Sequence, residues 1–421
     1  LEADLVGRDR ELRLLKELFH ATVERGTARI VSVVGPAGVG KSRLRWEFEK
    51  YVDGLVADVR WHLGRCLSFG DGVAYWALAQ IVRQRMNIAE QDPPDVARDR
   101  LRDGLARWIP DAGDREYLEP RLAQLLGLAD TSLSRDDLFG GWRLFFQRLA
   151  EGAPVVIVIE DLHWGDDGLL DFLDSLLDWS TTHPIFVLTL ARPELVEVRP
   201  GWGQRANGTS IGLEPLDQGA MRALLDELVA MPPVVADRVV DQAEGIPLYA
   251  VEIVRSLLEQ GNIDETDDGR RHVIGPVDDL AVPATLTALL SARVDHLPPD
   301  ERTLVRDLAV LGTSFPRAAV DAVASPTETP VEQLLTNLVR RGVLTILADP
   351  LSPERGQLQF AQAMMRAVVY DTLTRRERKA RHLAVAAHFQ RVFQDEGAEV
   401  AEVVAVHLRH AIEADPEAAD A

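Results

Sequence analysis

The sequence predicts an α/β fold built on a doubly wound parallel sheet that carries a helical insert. Three observations carry that reading. Strand-like aliphatic runs alternate with helix-period segments through the first half of the chain. The run Val155–Ile159, "VVIVI", is apolar at every position, as a parallel strand covered on both faces requires. A glycine-rich loop, "GPAGVGKS", joins the strand-like stretch Ile30–Val34 to a helical stretch that opens at Ser42.

The elements follow in order. Residues 10–25 read as a helix, with Leu12, Leu15, Leu18 and Phe19 at helical spacing. Ile30–Val34 is the first strand and Val59–Leu63 the second. Tyr75–Ala150 is helical, broken at Pro93-Pro94, Pro110 and around Thr131. Val155–Ile159, Ile185–Leu190 and Thr209–Leu213 are further strands, with a helix at Leu169–Trp179. The interval from Lys41 to Glu160 is far longer than one strand–helix–strand unit, so an insert at about 65–150 fills it. Beyond Leu213 the pattern is helical to 261, broken at Gly245-Ile246-Pro247. Residues 262–280 are polar and acidic, a loop or linker. Short helices run from Pro283 to Phe393, with a two-stranded wing around Val343–Leu347 and Leu358–Phe360. Residues 394–421 read as helix.

Composition bounds the function. The chain has 421 residues, 46% hydrophobic and 27% charged, the balance of a soluble globular protein of several domains. Its aliphatic runs are far short of the roughly 20 residues a membrane span needs. Neither a basic start nor an apolar stretch opens it, and Cys66 is its only cysteine, so a cytoplasmic location is expected. A net charge of −21 argues against nucleic acid and anionic membranes as partners. The chain begins without Met and stops in a helix-like tail, so it reads as a segment of a longer polypeptide.

Gly35-Pro36-Ala37-Gly38-Val39-Gly40-Lys41-Ser42 fits G-x-x-x-x-G-K-[ST] without a mismatch, between a strand and a helix. Glycines let backbone N–H groups turn inward around phosphate oxygens, and the helix adds its positive end. Lys41 is a point charge for the β- and γ-phosphates, and Ser42 offers a hydroxyl to Mg²⁺. Glu160 and Asp161 stand where an aliphatic strand emerges at the ligand edge of the sheet. One carboxylate there can hold Mg²⁺ and the other orient or deprotonate water, or the pair can simply solvate a strand end. Arg192 follows another strand; it either reaches a γ-phosphate or is a solvated arginine before a proline turn.

Together these pieces resemble the STAND class of P-loop ATPases, the signal-transduction ATPases with numerous domains, over nearly the whole chain. "LVGRDREL" resembles the entry motif, which implies that Val6, Gly7 and Arg8 approach the adenine and ribose. "VVGPAGVGKSRL", which runs through Arg43, and "VVIVIEDLHWGDDGLLDFL" resemble Walker A and Walker B. "LTLARPEL" resembles the sensor strand, which makes Arg192 the phosphate sensor. "AEGIPLYAVEIVRSLL" resembles the G-x-P motif of the helical domain, where Pro247 packs on the base and couples lid to nucleotide. "TLTALLSARVDHLPPDERTLVRDLAVLGTSF" and "FAQAMMRAVVYDTLTRRERKARHLAVAAHF" resemble its winged-helix part.

The resemblance implies a P-loop nucleotide-binding domain at 1–213, an all-helical lid at 214–265, a winged helix at 280–393 and the start of a tetratricopeptide-like helical repeat at 394–421. Within the class, "GRCLSFGDGVAYWALAQIVR" is most similar to the ATPase module of bacterial regulators that carry class III adenylate/guanylate cyclase domains. LuxR-type regulators of the MalT kind share the module. Two departures stand out. Glu160 replaces the usual first Asp of Walker B, which implies altered Mg²⁺ geometry and slow hydrolysis. Gln362 stands where a histidine often reads the diphosphate; it donates a hydrogen bond but never becomes cationic, so an ADP lock is weakened.

The expectation is therefore an ATP-driven switch. Gly35, Gly38, Gly40 and Lys41 cradle phosphate, Ser42 and Glu160 hold Mg²⁺, and Asp161 positions water. Arg192 and Pro247 report nucleotide state, ATP or ADP, to attached output and sensor domains, with ATP-dependent homo-oligomerisation implied by the class. Three rivals stand beside it: a nucleotide-gated scaffold without turnover, a DNA-binding regulator and a small-molecule kinase. The basic run Arg375–Arg381 is interrupted by Glu377 and reads as a solvated helix face. Cys66, Tyr75, Trp76 and Trp164 read as packing residues, and His163 lacks companions for a metal.

Overall fold

The computed structural model describes residues 3–66, 74–89, 92–129, 133–265, 271–274, 286–347, 356–392 and 398–414. Helix α1 (Asp9–Arg25) precedes strand β1 (Arg29–Val34), which feeds the glycine loop and α2 (Lys41–Asp53). Strand β2 (Arg60–Arg65) leads into four helices, α3 (Trp76–Met86), α4 (Pro94–Trp108), α5 (Ala112–Leu125) and α6 (Arg135–Gly152). Strand β3 (Val155–Glu160), α7 (Asp167–Trp179), β4 (Ile185–Ala191), α8 (Glu194–Val198) and β5 (Gly208–Gly212) follow.

The five strands form one sheet in the order β2-β3-β4-β1-β5, and β3 pairs in parallel with β2 and β4. Every residue of β3 and β4 is buried, which is why their sequences are apolar at all positions but Glu160 and Thr189 rather than alternating. Pro93, Pro94 and Pro110 of the insert fall at helix ends, whereas Pro120 lies inside α5. Pro93 and Pro94 open α4, where a missing N–H costs nothing. Asp111 and Ser134 cap α5 and α6 by accepting from the N–H groups of Asp114 and Asp137.

Three helices come next: α9 (Gln218–Leu228), α10 (Pro233–Ala243) and α11 (Pro247–Glu259). The stretch read as loop or linker at 262–280 holds a short antiparallel hairpin, β6 (Ile263–Glu265) and β7 (Arg271–Val273), with Ile263 opposite Val273. Then come α12 (Leu286–Asp295), α13 (Pro299–Leu308), β8 (Ser314–Phe315), α14 (Arg317–Val323), α15 (Val331–Arg340), β9 (Leu344–Ile346) and β10 (Leu358–Phe360). Where a two-stranded wing is expected the chain forms a three-stranded sheet, in the order β8-β10-β9, because Leu358 and Gln359 also pair with Phe315 and Ser314. Helices α16 (Ala363–Thr372), α17 (Arg375–Val392) and α18 (Ala398–Ala414) close the chain. The polar residues 275–280 and the end of the helix-like tail, 415–421, lie outside the described residues.

Contacts divide the chain into two compact units. Unit 1 gathers Leu1–Ala21, Val31–Ala57 and Leu190–Leu297; unit 2 gathers Thr22–Ile30, Asp58–Thr189 and Pro298–Ala421. Unit 1 has an apolar core of Met221, Leu225, Val235, Val239, Tyr249 and Ile253, one stripe from each of α9, α10 and α11. Unit 2 has an aromatic cluster in its insert: the Tyr75 ring meets Trp142 edge-on at 4.8 Å between centroids, and Trp142 meets Phe172 at 5.6 Å. Trp164, expected to pack, is instead 45% exposed. No helix among the described residues is long and apolar enough to cross a membrane.

Candidate nucleotide site

In unit 1 the loop after β1 is shaped by its glycines. Gly38 (φ 78°) and Gly40 (φ 105°) lie in the left-handed region, where a β-carbon is strained. A β-carbon at Gly35 would stand 2.7 Å from the Leu213 carbonyl oxygen, so only glycine fits. Gly40 precedes α2 without a side-chain cap, and no acid occupies the first turn of that helix. The positive helix end is therefore not offset by its own side chains, and space at Gly40 is open. Lys41 donates from Nζ to the carbonyls of Gly35 (2.7 Å) and Pro36 (2.9 Å), folding over the loop it belongs to. Pro36 and Ser42 are exposed, Ala37 is half-buried and Val39 fully buried. Arg43 turns outward to Glu47 (2.7 Å) and lies over the Trp46 ring.

The same unit brings the entry motif and the G-x-P motif to this loop. Arg8 is buried and donates to the carbonyls of Val39 (3.2 Å) and Glu214 (2.5 Å). Burial lowers its pKa from the ordinary arginine value, with Glu11 opposing that shift. Gly7 (φ 66°) has no room for a side chain, since a β-carbon would meet Ala220 at 2.8 Å. Val6 packs against the apolar core of the helical segment. Leu248 donates its backbone N–H to the Gly38 carbonyl at 3.3 Å, and a β-carbon on Gly38 would touch Ile246 and Leu248 at 3.0 Å. Pro247 occupies the first turn of α11, directly beside these two contacts. Arg192 is half-buried beyond the end of β4, its carbonyl accepting from Leu195 at 3.2 Å.

In unit 2 the acidic pair closes β3. Glu160 is 3% exposed and stands opposite Arg65, the last residue of β2. Arg65 donates to Glu160 Oε2 from both Nε (3.2 Å) and Nη2. Its third contact leaves the sheet: Nη1 donates to Gln359 Oε1 of β10 at 3.2 Å. Its backbone N–H is held by the Gln80 side chain of α3 at 2.9 Å. Asp161 takes a left-handed conformation (φ 54°) and heads the turn Leu162–Trp164. Gln362 follows β10 in extended backbone and precedes α16, its carbonyl accepting from Met365 at 3.1 Å. Cys66 is buried, which pushes its thiol pKa up and leaves it unreactive.

The expected residues thus fall into two sets. Val6, Gly7, Arg8, residues 35–43, Arg192 and Pro247 belong to unit 1, and Glu160, Asp161 and Gln362 to unit 2. Arg65 and Gln359 were given no role from sequence. For Arg65 a signal existed: an arginine at a strand's end, in register with a buried acid on the next strand.

The loop fits a nucleotide's phosphates, because its strained glycines and uncapped helix end form a backbone cradle that a β-carbon would fill. The acidic edge fits Mg²⁺ less directly, since the Glu160 carboxylate is already matched by a guanidinium. Residues 4–188 match the model of the AAA ATPase domain family. That match spans β1 to most of β4, including both the loop and the acidic pair. An uncharacterized protein of Rhizobium meliloti (strain 1021) is 23% identical over 404 residues, an overlap that covers 90% of this chain and 36% of that protein. A signal transduction ATPase with numerous domains, with a tetratricopeptide repeat sensor, from Pyrococcus horikoshii superposes with a TM-score of 0.54 at 17% identity. The superposition covers 98% of this chain and 48% of that one, and it establishes likeness of fold. The chain spans about half or less of the length of either relative.

Proposed function

We propose that this chain is an ATP-binding, slowly hydrolysing signal-transduction switch. The observation that carries the reading is the seam in unit 1. The carbonyl of Gly38, inside the phosphate loop, accepts from the N–H of Leu248, next to Pro247. A loop that rearranges around a γ-phosphate pulls on the first turn of α11, so nucleotide state becomes lid position.

In this reading Lys41 leaves the carbonyls of Gly35 and Pro36 for the β- and γ-phosphates. Backbone amides of Gly38, Gly40 and Ser42 accept the phosphate charge. Val6, Gly7 and Arg8 border the base and ribose, and Arg8 ties that border to Val39 and Glu214. Ser42 and Glu160 are the proposed ligands of Mg²⁺, which when bound draws charge from the phosphate oxygens. Asp161 orients the attacking water. Arg192 senses the γ-phosphate, and Gln362 offers a neutral hydrogen bond to a diphosphate. A cytoplasmic setting, ATP-dependent homo-oligomerisation, an attached sensor of helical repeats and an attached output domain, a nucleotide cyclase, complete the proposal. The domain limits expected from the sequence belong to it too. The reading disfavours DNA as a partner of this segment, because within the basic run Arg381 is paired to Asp307 (2.8 Å) and Arg378 to Asp371 (3.5 Å).

A nucleotide-gated scaffold without turnover is the second reading, and the Arg65–Glu160 pair favours it. Single-turnover hydrolysis of ATP with Mg²⁺, beside Lys41→Ala and Asp161→Asn, separates the two. Turnover that both substitutions abolish supports the switch. Tight ATP binding with no turnover above the Lys41→Ala background supports the scaffold, and no ATP binding overturns both.

A further inference from the structure

The Glu160 carboxylate is the most deeply buried acid at the edge of the sheet, and its charge is answered by a side chain that also grips another part of unit 2. Arg65 uses Nε and Nη2 on Glu160 and Nη1 on Gln359. A guanidinium is planar, with its five N–H donors fixed in one fork. Two of its edges are committed here, one to the acid and one to the amide, so the position of the amide fixes the plane that faces the acid. Arg65 is 30% exposed at its side chain and Glu160 4%, so the arginine has water to retreat to and the carboxylate does not. A buried carboxylate that loses its cation must find another.

We infer that Gln359 on β10 sets the position of Arg65, and that Arg65 thereby controls whether Glu160 is open to a divalent cation. The inference rests on the nucleotide-switch reading, in which Glu160 is a Mg²⁺ ligand, and gives the wing strand a role in it. While Gln359 holds Arg65, the guanidinium and a divalent cation compete for the same carboxylate. When β10 moves and its amide leaves, Arg65 is free to swing toward solvent and the carboxylate turns to the metal. Arg65 is a positioning residue: it acts on the metal through Glu160. Arg65 lies on β2 and Gln359 lies 294 residues further on, so the wing senses, or is sensed by, the acid through one side chain.

The test uses Mn²⁺ as the probe, because its electron paramagnetic resonance reports free ion directly. Mn²⁺ affinity is measured in the presence of ATP for the unaltered chain, Arg65→Met, Arg65→Lys and Gln359→Leu. A fluorescent ATP analogue is titrated into each in parallel. Arg65→Met is expected to tighten Mn²⁺ about tenfold or more. Gln359→Leu, which leaves the Arg65–Glu160 pair in place, is expected to tighten it a few-fold, and Arg65→Lys to return toward the unaltered value. A merely structural arginine would move stability in Arg65→Met but not tighten the metal. Unchanged or weaker Mn²⁺ binding in Arg65→Met and Gln359→Leu, with the ATP analogue still bound, overturns the inference and leaves the nucleotide reading standing. If the analogue binds none of the proteins, the nucleotide reading falls and this inference with it. Should Arg65→Met fail to fold, Gln359→Leu decides alone, since it deletes only a half-buried amide: no tightening there overturns the inference.

Discussion

The phosphate loop and the acidic edge are built on opposite principles. At the loop, shape is held by backbone: left-handed Gly38 and Gly40, the Gly35 contact on Leu213, and a lysine resting on its own carbonyls. At the edge, charge is held by side chains from three places in the chain, Glu160, Arg65 and Gln359. The first can be written in eight consecutive residues. The second depends on a contact that no local spacing encodes. A site made of backbone is difficult to modulate without breaking it, whereas a site made of long side chains is easily retuned by moving one partner.

That contrast can be broken or sharpened in several ways. The largest effect is expected at a cluster of buried histidines. His382 and His407, on α17 and α18, meet ring to ring with 2.8 Å between Nδ1 atoms, beside Tyr370, His410, Arg366 and Arg378. Burial and neighbouring positive charge push His382 down to about 3 and His407 to about 4. Both folded values lie below the unfolded one near 6.5, so the folded state binds fewer protons. Their stabilisation is present above pH about 6.5 and is lost as pH falls toward about 4, by roughly 1.4 kcal/mol per pH unit per group. Urea unfolding across that range checks it, and His407→Leu should flatten the slope by about one proton.

Next comes the backbone-built loop. Gly35→Ala sets a β-carbon against the Leu213 carbonyl, and about 1–3 kcal/mol of stability should go with it, together with ATP binding. Survival of nucleotide affinity in that variant would show the loop to be more plastic than its glycines suggest. Glu160→Gln should cost less, about 1–2 kcal/mol, because Arg65 keeps a hydrogen-bond partner of the same shape and is itself part-exposed. Chemical denaturation reads both. The smallest effect is expected at Ile246→Ala, about 1 kcal/mol or less since Ile246 is only half-buried. It should show chiefly as weaker ATP-dependent protection of α11 in hydrogen exchange.

Much of this was legible in the sequence. Strand β3 was visible because a strand buried on both faces has no alternation to hide, and the loop because strained turns demand glycine. The helix breaks at Pro93 and Pro110 were legible for the same local reason. The hairpin of Ile263 with Val273 was not, since strands of three residues in an acidic stretch carry no period. The strand beside β10, Ser314–Phe315, escaped because it is only two residues long. Arg65 carries no role in the sequence pattern itself. Its meaning depends on β2 lying beside β3, and on Gln359 arriving from far along the chain.

That distance also has a meaning in time. A ribosome adds about 5–20 residues per second, so the 294 residues from Arg65 to Gln359 take roughly 15–60 s to synthesise. Throughout that interval the nascent chain holds Arg65 and the phosphate loop, and for much of it Glu160 as well, without the amide that steadies the arginine. A newborn copy therefore passes through an age at which Arg65 and Glu160 exist without Gln359, which arrives only once β10 has been made.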